Sequence, residues 1–165
     1  MQDVNRTWRL IASLGLVLFA GFLGSLANMT SLSTWYPGLV KPAFNPPNWI
    51  FGPVWTVLFV MMGISFFLIW NQCAKKKKNK DRVYLQSSMI FFSVQLAANV
   101  LWSFLFFFFQ SPKFAFFEII LLWLTIALTI YYFQSLSRRA AWLLIPYLFW
   151  VSFATVLNFA IWQLN

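Results

Sequence analysis

The sequence has no histidine, one cysteine and only three acidic residues, Asp3, Asp81 and Glu118. Without histidine, the commonest metal and haem ligand is missing, together with the side chain that titrates near neutral pH. A single cysteine excludes an internal disulfide. Paired carboxylates, a nucleophile–base pair, a glycine-rich phosphate loop and a metal-ligand cluster are all absent. No metal is expected, and no cofactor is required. Charge of either sign is scarce, at 9% of 165 residues against the roughly 25% of a soluble domain.

What is present is apolar and aromatic, at 61% and 22% of the chain. Leu10–Val40, Pro42–Ala74, Val83–Pro112 and Ala140–Asn165 carry no charge, and Phe114–Ser137 holds only Glu118. Each exceeds the ~20 residues that cross a ~30 Å hydrocarbon core. The expected fold is an all-α membrane protein, one domain over residues 1–165 built as a five-transmembrane-helix bundle. Its helices are expected near 8–28, 48–70, 84–109, 114–134 and 141–163, with a loop over 29–47. Apolar residues run on continuously instead of alternating, which excludes a β-barrel. The first apolar segment is too long for a signal peptide and has no small-residue cleavage site, so it is expected to be retained.

The net charge of +9 suggests nucleic acid until its distribution is read. Five spans put Arg6, Arg9, Lys75–Lys78, Lys80, Arg82, Arg138 and Arg139 on one side, and Lys41 and Lys113 on the other. That asymmetry places the N-terminus in the cytoplasm and the C-terminus outside. The lipid bilayer is therefore the expected partner of the basic residues, and no nucleic acid is. A bacterial plasma-membrane location is expected. Cys73 sits beside the lysines at the end of helix 2 and reads as a plain thiol.

The stretch Trp35–Trp55, WYPGLVKPAFNPPNWIFGPVW, holds five of the seven prolines, three tryptophans and one charge, Lys41. Proline fixes φ and removes a donor, so this link is stiff. It reads either as a lid across helix ends or as an interfacial turn with its rings at headgroup level. Helix 1 offers Ala20/Gly24 and Gly21/Ser25 for close approach, with Asn28 near its outer end. On helix 3, Gln95, Asn99 and Trp102 stand at i, i+4 and i+7, on one face that should point inward, because amides are costly in hydrocarbon. Bundle fastening and a ligand site explain that face equally well. Ser93 and Ala97 form a second stripe, suited to a dimer seam. Phe104–Phe109 (FLFFFF) reads as lipid-facing. Glu118 reads as structural, near the interface and Lys113, favouring the positive end of its helix. On helix 5, Trp150, Ala154 and Leu157 repeat the same spacing, beside Asn158.

WYPGLVKPAFNPPNWIFGPVW resembles the W-Y-x-x-L-x-K-P-x-x-x-P-P-x-x-x-F-x-x-V-W pattern of the TspO/MBR family, the tryptophan-rich sensory or translocator proteins. GFLGSLAN (21–28), QLAANVLW (95–102) and PYLFWVSFATVLNFAIW (146–162) are similar to that family's helix 1, 3 and 5 motifs, in order along nearly the whole chain. The resemblance implies a homodimeric five-helix bundle whose pocket binds porphyrins and benzodiazepine-type drugs. Matched by motif, that pocket would comprise Ser25, Asn28, Phe51, Val54, Trp55, Gln95, Asn99, Trp102, Phe114, Trp150, Ala154 and Leu157. Lys41 on the lid would attract propionates. Two departures stand out. Phe114 replaces a tryptophan of animal members, and Phe159 and Gln163 occupy the tyrosine and basic positions of the helix 5 sterol motif.

Three functions follow as expectations: a membrane receptor or sensor for a protoporphyrin-like tetrapyrrole, a light- and oxygen-dependent porphyrin-degrading enzyme using Trp55 and Trp150, and a porphyrin transporter. The last has little support, since no internal repeat or broken helix pair is visible. The charge asymmetry is tested by fusion. A reporter active only outside the cytoplasm should work after Asn165 and fail within the lysine run, and the reverse pattern would invert the topology.

Overall fold

The computed structural model describes residues 2–73 and 79–165, and every regular element among them is helical. Five α-helices follow in order: α1 (Gln2–Met29), α2 (Asn48–Cys73), α3 (Asn79–Ser103), α4 (Pro112–Leu136) and α5 (Arg138–Leu164). All five are long and apolar enough to cross a membrane. The sequence reads Ala74–Arg82 as a solvated basic loop; residues 79–82 instead open α3, while 74–78 and the side chain of Cys73 lie outside the described residues.

The helices outrun the apolar boundaries, α1 beginning at Gln2 and α2 reaching Cys73. Hydropathy marks where lipid ends, whereas a helix continues until capping or sterics stop it. Helix 3 departs differently: α-geometry stops at Ser103 and a π-turn, Phe104–Phe108, completes it. A π-turn spaces its bonds one residue wider than an α-helix. Here Phe109 N–H donates to Phe104 O and Ser111 N–H to Leu105 O, before Gln110 turns the chain with φ 51°.

The helices close a ring in the order α1–α2–α5–α4–α3, with α4 packed along both α3 and α5. At the basic end the ring is filled by Met62, Ile69, Ile126, Phe133 and Leu144, and by a stack of Phe66 on Phe92 on Phe133 that ties α2, α3 and α4. At the other end a separate cluster of Tyr36, Phe106, Ala115, Leu157 and Ile161 lies under residues 29–47. Between the two clusters the ring is not filled.

Lipid tails are as apolar as these side chains, so association rests on close packing and interhelical bonds. Gly63 of α2 meets α1 so tightly that a Cβ there would lie 2.7 Å from Leu14 Cδ2 and 3.1 Å from Leu14 Cα. Gly21 of α1 receives the Phe59 ring, which a Cβ would meet at 2.8 Å. Ser65 Oγ donates to Ala140 O at 2.7 Å, joining α2 to α5.

Glu118 was expected near the interface and Lys113. It is instead buried on the inner face of α4, neither oxygen having a hydrogen-bond partner among the described residues, while Lys113 is exposed. The i, i+3 and i+4 rows through Ala115, Ile119 and Leu122 turn that face inward.

Gly63→Val should therefore lower stability by about 1–3 kcal/mol in detergent unfolding, since neither helix can yield without separating. Gly15→Val, where nothing lies within 4 Å of the added Cβ, should change it by less than about 0.5 kcal/mol.

Candidate functional site

The unfilled middle of the ring is a cavity of about 600 Å³ enclosed by α1, α2, α3, α5 and the 29–47 segment. That volume falls within the ~300–1,000 Å³ of small-molecule sites. Trp55, Phe51 and Phe59 line it from α2, Trp150, Ala154, Leu157 and Asn158 from α5, and Asn99, Trp102, Phe106 and Phe107 from helix 3. Ser25 and Asn28 of α1, with Tyr36 above, complete it. No lining residue carries a formal charge.

Residues 29–47 form the cover, a reading the sequence left open. Thr30–Trp35 continues α1 as turns, and a short 3₁₀ helix (Tyr36–Gly38) begins with Pro37 fixing its φ. The cover is fastened at three places. Ser31 Oγ donates to Phe107 O, a carbonyl within the π-turn, and the Tyr36 ring packs on the Phe107 ring at 5.7 Å. Lys41 Nζ donates to Tyr36 O at 2.7 Å and Leu39 O at 3.3 Å, and lies 4.6 Å from the centre of the Tyr36 ring. Asn165 accepts from Val40 N–H and donates to Val40 O, both at 3.0 Å, as a neighbouring strand would. Burial under the cover raises the Tyr36 phenol above its ordinary pKa, so it stays neutral.

The hydrogen bonds of the wall divide its residues by role. Trp102 Nε1–H donates to Asn158 Oδ1 at 3.0 Å, and Asn158 Nδ2–H donates to Pro112 O at 2.7 Å, linking α3, α5 and the start of α4. Asn99 Nδ2–H donates to the buried Tyr147 hydroxyl at 2.9 Å. These groups fasten the bundle. By contrast, the indole N–H groups of Trp55 and Trp150 make no hydrogen bond among the described residues, and Asn28 Oδ1 is buried without a partner. The two rings are held by aromatic edges, Trp55 against Tyr147 at 6.2 Å and Trp150 against Phe51 at 5.9 Å. An unpaired buried acceptor and two uncommitted donors are what a bound molecule would satisfy.

Of the expected pocket residues, the structure brings Ser25, Asn28, Phe51, Trp55, Asn99, Trp102, Trp150, Ala154 and Leu157 to one cavity. Four do not reach it. Val54 packs into the core beside Trp55. Gln95 is 1% exposed on the inner face one turn below Asn99, its amide unpartnered. Phe114 is 63% exposed on the outer face of α4. Lys41 is committed to the cover's own carbonyls.

Phe104–Phe109 also corrects the sequence reading, for Phe106 is 3% exposed and stacks on Trp102 at 5.2 Å. Phe106 extends the Gln95, Asn99, Trp102 spacing to i+11, a signal present in the sequence and hidden by the four other phenylalanines of the run. Phe108 and Phe109 do face outward.

Five helices long and apolar enough to span a membrane, four of them around a Trp-lined, uncharged cavity, define a multi-pass membrane protein with an internal cavity. The family pattern for the TspO/MBR family matches residues 13–163, and the chain belongs to that family. It is 45% identical to a tryptophan-rich protein TspO of Chlorobaculum tepidum over 92% of each chain. Identity is likewise 45% to a protein of that name from Archaeoglobus fulgidus, over 95% of this chain and 97% of the relative. The translocator protein of Ovis aries is 36% identical over 88% of this chain and 83% of its own.

Interhelical bonds in membranes contribute about 0.6–1.7 kcal/mol each. Asn158→Leu, which breaks two, should destabilise the protein roughly twice as much as Trp102→Phe, which breaks one. Because one bond is shared, the double variant should fall short of the sum in thermal unfolding.

Proposed function

We propose that this protein is a membrane receptor for flat, largely apolar ligands of the protoporphyrin and benzodiazepine kind, held between Trp55 and Trp150. The observation that carries the reading is the contrast among the tryptophans: Trp102 and Trp123 use their N–H groups within the bundle, whereas those of Trp55 and Trp150 are uncommitted beside an unpartnered Asn28. Ring faces supply stacking area, and a few polar atoms fix orientation. Asn99 holds its place through Tyr147 and keeps its Oδ1 for the ligand. The absence of charge on the lining favours a ligand whose apolar ring system fills the cavity. The names of the relatives, sensory and translocator proteins, fit a binding role. With the charge asymmetry, the cover then faces away from the cytoplasm of a bacterial cell. Exposed Ser93 and Ala97 on α3 offer the seam for a homodimer.

A second reading, oxidative breakdown of bound porphyrin under light and oxygen, draws on the same placement of Trp55 and Trp150 against the ligand. It differs in one outcome, new absorbing products that need both light and oxygen.

Titration of purified protein with protoporphyrin IX in the dark should quench tryptophan fluorescence and saturate near one ligand per chain. Trp55→Phe with Trp150→Phe should raise Kd about tenfold or more, in keeping with about 1–3 kcal/mol for stacking lost at two rings. A double variant that titrates like the parent would remove the assignment.

A further inference from the structure

Four of the cavity's five sides are shut. The lid end is pinned by Ser31 to Phe107, by the Lys41 staple and by the two-way Asn165–Val40 pairing. Towards the basic end, α1 and α2 are in contact through Gly63 on Leu14 and Gly21 on Phe59. The α1–α3 seam is close at Gly24, where a Cβ would stand 3.1 Å from Ser103 Oγ. The α2–α5 seam is filled by Phe51 against Trp150 and Trp55 against Tyr147.

The fifth side is the outer half of the α1–α2 seam, and it differs in every respect. Above Gly21 and Phe59 the helices diverge, and nothing lies within 4 Å of where a Gly52 side chain would begin. Phe22 of α1 and Trp49 of α2 belong to the cavity lining while being 56% and 74% exposed, and Gly52 and Thr56 are exposed as well. Residues that line a cavity and also meet the surroundings mark its opening. This opening lies within two spans, so what it faces is acyl chains.

The polar atoms at its rim suit that setting. Ser25 Oγ donates to Phe22 O at 2.7 Å, and Thr56 Oγ1 donates to Gly52 O at 2.9 Å, each within its own helix. No rim hydroxyl donor is left bare towards lipid, where an unpaired group costs several kcal/mol.

Resting on the receptor reading above, we infer that the slit between α1 and α2 is the ligand's doorway, and that the ligand arrives edge-on from the hydrocarbon of the lid-side leaflet. The ligand class narrows accordingly to planar amphiphiles that partition into bilayers. A flat ring is the shape that passes between two helices still joined below. The lid stays closed throughout and serves as a roof.

The test is kinetic. The protein in lipid nanodiscs is mixed by stopped flow with vesicles carrying protoporphyrin IX, and porphyrin fluorescence reports transfer. The association rate should follow the mole fraction of porphyrin in the bilayer and ignore its aqueous concentration. Gly52→Phe should slow association about tenfold by filling the slit. Because Gly52 precedes Pro53, where bulk strains a helical backbone, Thr56→Phe provides an independent obstruction with the same expected slowing. Asn165→Ala, which unpins the roof, should leave the rate within about twofold. Faster association in Asn165→Ala, with parental rates in both slit variants, would make the lid the doorway and overturn the inference while saturable binding upheld the receptor. No saturable transfer to the parent protein would overturn the receptor reading, and the doorway with it.

Discussion

Everything about this bundle depends on how closely two backbones approach at Gly63 and Leu14. In a bilayer no hydrophobic force gathers helices, so contact must be made by shape. A missing Cβ permits that contact at the basic end of the α1–α2 pair, and the Phe59 ring seated on Gly21 ends it. Above that point nothing lies within 4 Å of a Cβ added at Gly52, and the pair stands open. A pair joined below and spread above leaves room, and the cavity is that room. The aromatic stack Phe66–Phe92–Phe133 joins α2 to α3 and α4 toward the same end, so the floor is filled there.

The cavity's chemistry follows from how its polar groups are committed. Membrane interiors leave few ways to satisfy an amide, and most here are used across helices: Asn99 to Tyr147, Trp102 to Asn158, Trp123 to Ser152. Those bonds set the distances between α3, α4 and α5. Among the atoms left over, those on Asn28, Trp55 and Trp150 line the cavity, from the two helices that separate and the one facing them. Scaffold and site are thus drawn from the same residue types, and only bonding separates them.

The fold was legible because hydrocarbon thickness imposes its length on every span, and five long uncharged runs admit few arrangements. Most of the cavity was legible too, where small and polar residues recur at helical spacing, as with Asn99 and Trp102 or Trp150, Ala154 and Leu157. What failed to show was rotation about the helix axis. Phe114 sits at a plausible depth yet points to lipid, whereas Gln95 faces inward with Asn99 and misses the cavity by lying one turn below it. In a segment apolar all round, periodicity has nothing to contrast with, so phase is carried only by neighbours from distant sequence. Lys41 failed for another reason: carbonyls two and five residues back in the chain hold its ammonium, and such local folding-back leaves no pattern in the sequence.

The π-turn at Phe104–Phe108 gives the phenylalanine run its sense. One surplus residue advances everything beyond it by about 100° around the axis. In a segment with distinct inner and outer residues, such a phase slip would drag polar groups into lipid or bare a wall. Here the six positions from Phe104 to Phe109 hold five phenylalanines and a leucine, so the outer surface is indifferent to which of them it presents. Sequence degeneracy is what makes the irregularity tolerable: the helix changes gear where all its teeth are alike, and the roof gains the carbonyl of Phe107 to hold.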